Sequence, residues 1–527
     1  MKNKNSIKLL ISGIVAVCLV ALVATVTVLV YKFNKDEGQI LDGGYKVEIT
    51  QASGTTSADE NVITPDEVEM EFSMKSLQNN LAYEGTQSKL PSIGAPKILV
   101  IPIEIPSFKF SSNDLIAIQN CFFGKASDTG WQSLNSYYYE SSFQQLDIKG
   151  EVLPVFEAKS AGYNTVNSII SSSDVTKIIE AALSKNGISI NDYDFDQDGF
   201  YDGIWTIYSA PNYQNNSMMN KNYWAYTSWN LEENNPLSVF AWASIDFIMN
   251  NFYGNLADAH TIIHETGHMM GLNDYYDYSG ETAPAGCLDM MDANVLDHSS
   301  YSKMLLGWIK PYIVTGDSKI SLATTQEKNA CIVIPYDGYK INKSGDKYLF
   351  NPFDEYMLVE LYSPEGLNEK DSMIAYENGA KGYSKTNFKV LHIDNRLFRF
   401  NARGLLTPYE NGSSLSSRDV VCYFISNTTS GEYAESSFLG NNSLEVNGNI
   451  DDYFSEMTLI DSSKLFTYKN LYTKGSSFAR EIVYASNSCL FASGDTFNMS
   501  TFHKYFVNGE NRLMNNGQPF DSNLIFE

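Results

Sequence analysis

The stretch that most constrains this chain is residues 260–277, His-Thr-Ile-Ile-His-Glu-Thr-Gly-His-Met-Met-Gly-Leu-Asn-Asp-Tyr-Tyr-Asp. From His264 it reads H-E-x-x-H-x-x-G-x-x-D, and three of the chain's six histidines fall within nine residues. On a helix, His264 and His268 project from one face about one turn (~5.4 Å) apart. Two ring nitrogens at that separation can meet one Zn2+ at ~2.0–2.1 Å each. Glu265 follows the first ligand and can take a proton from a metal-bound water. Gly271 suits a helix C-terminus, where a left-handed residue reverses the chain. Asp274 can then return as a third ligand, leaving a fourth position for water.

A bare H-E-x-x-H arises by chance in many sequences, and Ala259, Ile262, Ile263, Met269 and Met270 would bury this helix with or without a metal. Two histidines and a glutamate are costly to bury unless something pairs with them, and a metal does so. With Gly271 and Asp274 at the matching spacing, the metal reading is the better one. His260 shares the stripe but lies two turns (~11 Å) from His268, too far for one tetrahedral ion. It reads as a packing residue or an outer support.

A formal charge of −25 argues against nucleic acid as a partner. The six cysteines are scattered without C-x-x-C spacing, so this is neither a zinc ribbon nor a disulfide scaffold.

At the N-terminus, Lys2, Lys4 and Lys8 precede an apolar run from Leu9 to Val30, closed by Lys32 and Lys35. As a helix this run rises about 33 Å, enough for a bilayer core of ~30 Å. It predicts a transmembrane signal anchor with residues 1–35 as cytosolic stub and span, and the remainder outside the cell membrane. Cleavage near Ala24 would make the protein secreted instead. Residues 36–95 are polar, with an acidic stretch from Asp59 to Glu71, and read as a solvated stalk or a pro-segment.

Order resumes at Lys97. Ile98–Ile105 predicts a core strand, with Pro102 hinting at an edge or a bulge. Helices are expected over 113–123 and 133–143, and over 174–185 with Asp174 as N-cap. Asp194 begins a D-x-D-x-D-G-x-x-D run. There Asp194, Asp196, Asp198, the Phe200 carbonyl and Asp202 could form an oxygen cage for Ca2+ around a turn at Gly199. Trp205 stands where an EF-hand would carry its bidentate Glu, so the loop is EF-like only. A strand at 239–249 leads to the metal helix, expected from Leu256, and Met290 or Met291 could lie beneath the site. Beyond 312, strand-like runs alternate with Gly, Asn and Ser.

Taken together, these motifs resemble the immune inhibitor A-type zinc metallopeptidases, relatives of the metzincins. The likeness rests first on the stretch from His264 to Asp277. It extends to Lys97–Ile105, Tyr137-Tyr-Tyr-Glu-Ser-Ser-Phe-Gln-Gln-Leu-Asp-Ile-Lys-Gly, the 194–202 loop, Asp289-Met-Met, Leu306-Gly-Trp-Ile-Lys-Pro and Glu355-Tyr-Met-Leu-Val-Glu-Leu, over roughly residues 95–400. The resemblance implies a secreted or surface endopeptidase with zinc on His264, His268 and Asp274, Glu265 as base, and a methionine turn at Met291. Asp277 and Asp289 also lie within reach as third ligand. It further implies a pro-segment, in which an acidic residue of 59–71 would block the zinc.

The expected architecture is α+β: a metzincin-like peptidase domain over 96–315, with a central mixed sheet and an active-site helix, then a β-rich region over 316–527. The expected activity is hydrolysis of peptide bonds in protein or peptide substrates, with Zn2+ catalytic and Ca2+ structural. The alternative is a surface-anchored adhesin or carbohydrate-binding ectodomain on a protease-like scaffold. Against it, a pure binder has no use for the base at Glu265.

Overall fold

Residues Lys97–Glu104 form β1, the strand around which the first sheet is built. The computed structural model describes residues 39–71, 88–169, 171–212, 223–230, 235–249, 257–276 and 283–396, and beyond these chiefly 455–464, 484–506 and 510–527. The other strands of this sheet are β2 (Lys149–Val152), β3 (Phe156–Glu157), β4 (Gly203–Tyr208), β5 (Tyr226–Trp229) and β6 (Val239–Ser244). Their order is β5-β6-β4-β1-β2, with β3 also on β1. All neighbours run parallel except β5, which closes the sheet antiparallel to β6.

The near-continuous apolar run of β1 follows from burial on both faces, as expected for a parallel sheet covered by helices. Ile98 and Val100 join Trp205, Ile207, Ala241 and Ala243 in one core. Alternate residues Leu99, Ile101 and Ile103 join Ile204, Tyr208 and Phe240 in the other. Helices α1 (Ser112–Phe123), α2 (Leu134–Ser141) and α4 (His260–Met269) bury apolar residues in the first core, and α3 (Ser172–Asn186) in the second.

Two local expectations are corrected. Pro102 is in the central strand, not at an edge: it falls between the Val100–Val152 and Ile103–Phe156 pairs, where β2 has ended and β3 begins. A residue without an N–H is tolerated at such a break in the ladder. The N-cap of α3 is Ser171, whose hydroxyl accepts from Asp174 N, while Asp174 Oδ2 accepts from Ser171 N. Asp174 is thus the returning member of a capping box.

Strands dominate beyond 312, so the described fold is mixed α+β. One sheet carries, in order, Met457–Leu459, Asn387–Asp394, Glu355–Tyr362, Cys331–Pro335, Tyr312–Val314 and Val62–Ile63. Another places Lys46–Gln51 between Ser318–Leu322 and Asn523–Phe526, parallel to both. Residues 39–71 therefore contribute strands to the C-terminal sheets, correcting the expectation of a solvated stalk. Val47, Ile49 and Val62 are buried with Leu322, Val359 and Phe526, which the surrounding polar composition concealed.

For the described residues the transmembrane expectation is also corrected. Among the described residues no helix is long and apolar enough to cross a membrane. α3, at 15 residues, rises only about 22 Å against a core of ~30 Å. The apolar run at 9–30 lies outside the described residues.

Candidate metal centre

Every residue of α4 is buried, and the helix is held from both sides. Tyr138 of α2 donates its hydroxyl to Ile263 O at 2.7 Å, and Trp205 of β4 donates Nε1 to Thr266 Oγ1 at 3.3 Å. The helix starts at His260 instead of the expected Leu256. Asp258 precedes it, accepting from His260 N at 3.0 Å and pairing with His260 Nδ1 at 2.6 Å. At its end Gly271, with φ +100°, reverses the chain. Gly271 N donates to His268 O and Leu272 N to Gly267 O, so the last carbonyls are satisfied as the chain turns back.

That reversal brings three donor atoms together. His264 Nε2 and His268 Nε2 are 3.1 Å apart. Asp274 Oδ1 lies 3.0 Å from the first and 3.2 Å from the second. A tetrahedral ion with ~2.0–2.1 Å bonds requires donors about 3.3 Å apart, so the triangle matches one face of such a site. The rings are oriented from behind: His264 Nδ1 pairs with Met290 O at 2.8 Å and His268 Nδ1 with Leu272 O at 2.7 Å. With Nδ1 as donor, each ring turns an Nε2 lone pair toward the shared centre.

Asp274 and His268 each hold the other's charge against burial. Burial opposes charge on His268, but Asp274 outweighs it and raises the imidazole to about 9. Burial likewise opposes charge on Asp274, yet His268 and His264 hold its carboxyl far below the carboxylate range. Of the alternative third ligands, Asp289 instead caps the turn at Met290–Ala293, accepting from Met291 N at 3.0 Å. Asp277 lies outside the described residues.

Glu265 is tethered to the edge strand. Thr227 of β5 shares its hydroxyl between Glu265 Oε2 at 2.9 Å and Glu265 O at 2.8 Å. Both methionines of the 290–291 turn serve the centre. Met290 supplies the carbonyl to His264, and Met291 packs under α4 so closely that a Cβ on Gly267 would stand 2.5 Å from its sulfur. Sequence reasoning missed Thr227, and also Tyr276, a 37% exposed side chain whose phenol hydrogen-bonds Asp274. Burial first, then Asp274 and Glu265, push that phenol far up. A tyrosine directly following the ligand loop was the available signal.

His260 stands apart from the centre, as its spacing predicts. It lies between Asp258 and, at 3.3 Å, Asp371, and stacks on Trp131 at 3.9 Å and 8°. Burial lowers its basicity, but the two aspartates prevail and raise it to about 9.

The acidic loop is assembled in part. Asp194, Asp196 and Asp202 converge. Asp198 does not join them; its Oδ1 accepts from Phe200 N at 3.0 Å, fixing the turn at Gly199. Asp202 anchors the loop to the sheet by accepting from Lys97 N and Phe195 N. Burial, with Asp196 and Asp194 nearby, pushes the Asp202 carboxyl up to about 7. The acidic stretch 59–71 joins neither cluster. Asp59 caps Asn61 and Lys319 backbone N–H groups, and Glu67 bonds Thr64.

A scan against protein-family models finds no match, and a search of the curated proteins finds none.

Proposed function

We propose that the chain is a zinc-dependent endopeptidase of the immune inhibitor A type, with a metzincin-like catalytic part. The observation that carries this reading is the triangle of His264, His268 and Asp274 donors, 3.0–3.2 Å apart, with Glu265 beside His264 on α4. Zinc held there by His264, His268 and Asp274 would supply a Lewis acid and lower the pKa of water in the site. Glu265 takes that water's proton and returns it to the leaving amine, oriented for both by the Thr227 hydroxyl.

β5 ends its sheet and adjoins α4, so an extended peptide can add to its edge and run past Glu265. The loop of Asp194, Asp196 and Asp202 holds a structural Ca2+ in this reading, offsetting carboxylates that otherwise repel.

The test is Glu265→Gln assayed on a denatured protein substrate, with zinc content measured in parallel. Zinc should stay bound while kcat falls about 10²–10⁴-fold. Undiminished hydrolysis by the variant removes Glu265 from the mechanism.

A further inference from the structure

The loop carrying Asp274 is held from two directions. On one side, Tyr275 N donates to Met291 O at 2.7 Å and the Tyr275 hydroxyl pairs with Ser302 Oγ at 2.7 Å. On the other, buried Asn273 donates Nδ2 to Glu456 Oε2 at 2.8 Å. The same carboxylate accepts the Tyr301 hydroxyl on Oε1 at 2.5 Å. Tyr301 in turn sets its ring 5.9 Å from that of Tyr275.

Glu456 comes 183 residues after Asn273, just ahead of the strand Met457–Leu459 in the C-terminal sheet. Its own carbonyl accepts from Asp394 N at 2.9 Å, which fixes its backbone to that sheet. A fully buried carboxylate is expensive unless its oxygens are bonded. Here each oxygen is committed to a residue that frames Asp274, Asn273 directly and Tyr275 by way of Tyr301.

We propose that Glu456 is a positioning residue of the metal centre: by fixing Asn273 it aims the Asp274 carboxylate at His264 and His268. The inference rests on the zinc reading above. It makes the C-terminal β region a working part of the centre, because the group that orders the third ligand belongs to that region.

The test measures Zn2+ affinity of the full chain by competition with a chromophoric chelator, alongside the melting temperature of the metal-free protein. Glu456→Gln, Asn273→Ala and the double variant are compared with the natural chain, well below every melting point. Each single change should weaken zinc about 10–100-fold, the usual cost of losing a ligand's outer support. The double variant should lose less than the product of the two single losses, since both remove the Asn273–Glu456 bond.

Zinc affinity within twofold of the natural chain, with only the melting temperature lowered, overturns the proposal, as does a double loss equal to the product of the single losses. Should Glu456→Gln fail to fold, Asn273→Ala decides by the same affinity criterion. A natural chain that binds no zinc overturns the peptidase reading and this inference together. Tight natural binding with unaffected variants overturns this inference alone.

Discussion

In the proposed mechanism Glu265 accepts and returns a proton, so it has to be aimed without being neutralised, and a hydroxyl can do this. Thr227 donates to Oε2, which in that mechanism leaves the other oxygen for the attacking water. Replacing Thr227 by Val should lower kcat about 10–100-fold, since small misplacements of a reacting group are that costly. Zinc content and KM should change little, and Thr227→Ser should recover most of the rate. Steady-state kinetics on all three proteins checks this. His264, Glu265, His268 and Asp274 were legible in the sequence because one helix and one turn carry them all. Thr227 was not, because it arrives from a strand 38 residues earlier through an Asn- and Tyr-rich stretch. The acidic loop was half legible. Alternate aspartates marked it, but the turn uses Asp198 to hold Phe200 N, so Asp198 stays out of the cluster.

At the scale of the element, α4 depends on how its two ends are tied. Gly271 holds φ +100°, and a Cβ there would lie 2.7 Å from Lys89 Nζ. Gly271→Ala should therefore destabilise the fold by about 1–3 kcal/mol, visible in thermal unfolding, and should weaken zinc by shifting Asp274. At the other end, the Asp258–His260–Asp371 triad predicts a pH effect. The His260 pKa is raised from 6.5 to about 9 on folding. Its contribution, on the order of 3 kcal/mol, is fully present below pH 6.5 and is lost as pH rises through 9. Asp371→Asn should thus cost more stability at pH 6 than at pH 10 in denaturant titrations. Equal costs at both would mean that His260 is neutral throughout. The helix's amphipathic pattern was plain in the sequence; its start was not, because the group that tethers its first turn from outside, Asp371, lies 111 residues away.

At the scale of the whole molecule, described strands far apart in the sequence pair with each other. Lys46–Gln51 lies parallel to Asn523–Phe526, and Val62–Ile63 pairs with Tyr312–Val314. Such pairings span more than 200 residues, and no local periodicity announces them, which is why residues 39–71 read as a stalk. The core strand of the first half was legible because burial on both faces leaves a near-continuous apolar run in β1. If calcium occupies the acidic loop, adding Ca2+ to chelated protein should raise its melting temperature, and Asp202→Asn should abolish that rise; no shift in the natural chain would leave the loop without a calcium role. The central claim is tested most directly by the metal content of the purified chain and of its His264→Ala, His268→Ala and Asp274→Ala variants. One zinc per natural chain, lost or greatly weakened in all three variants, is the expected result. A natural chain without zinc, or zinc held equally by all three variants, would contradict the account.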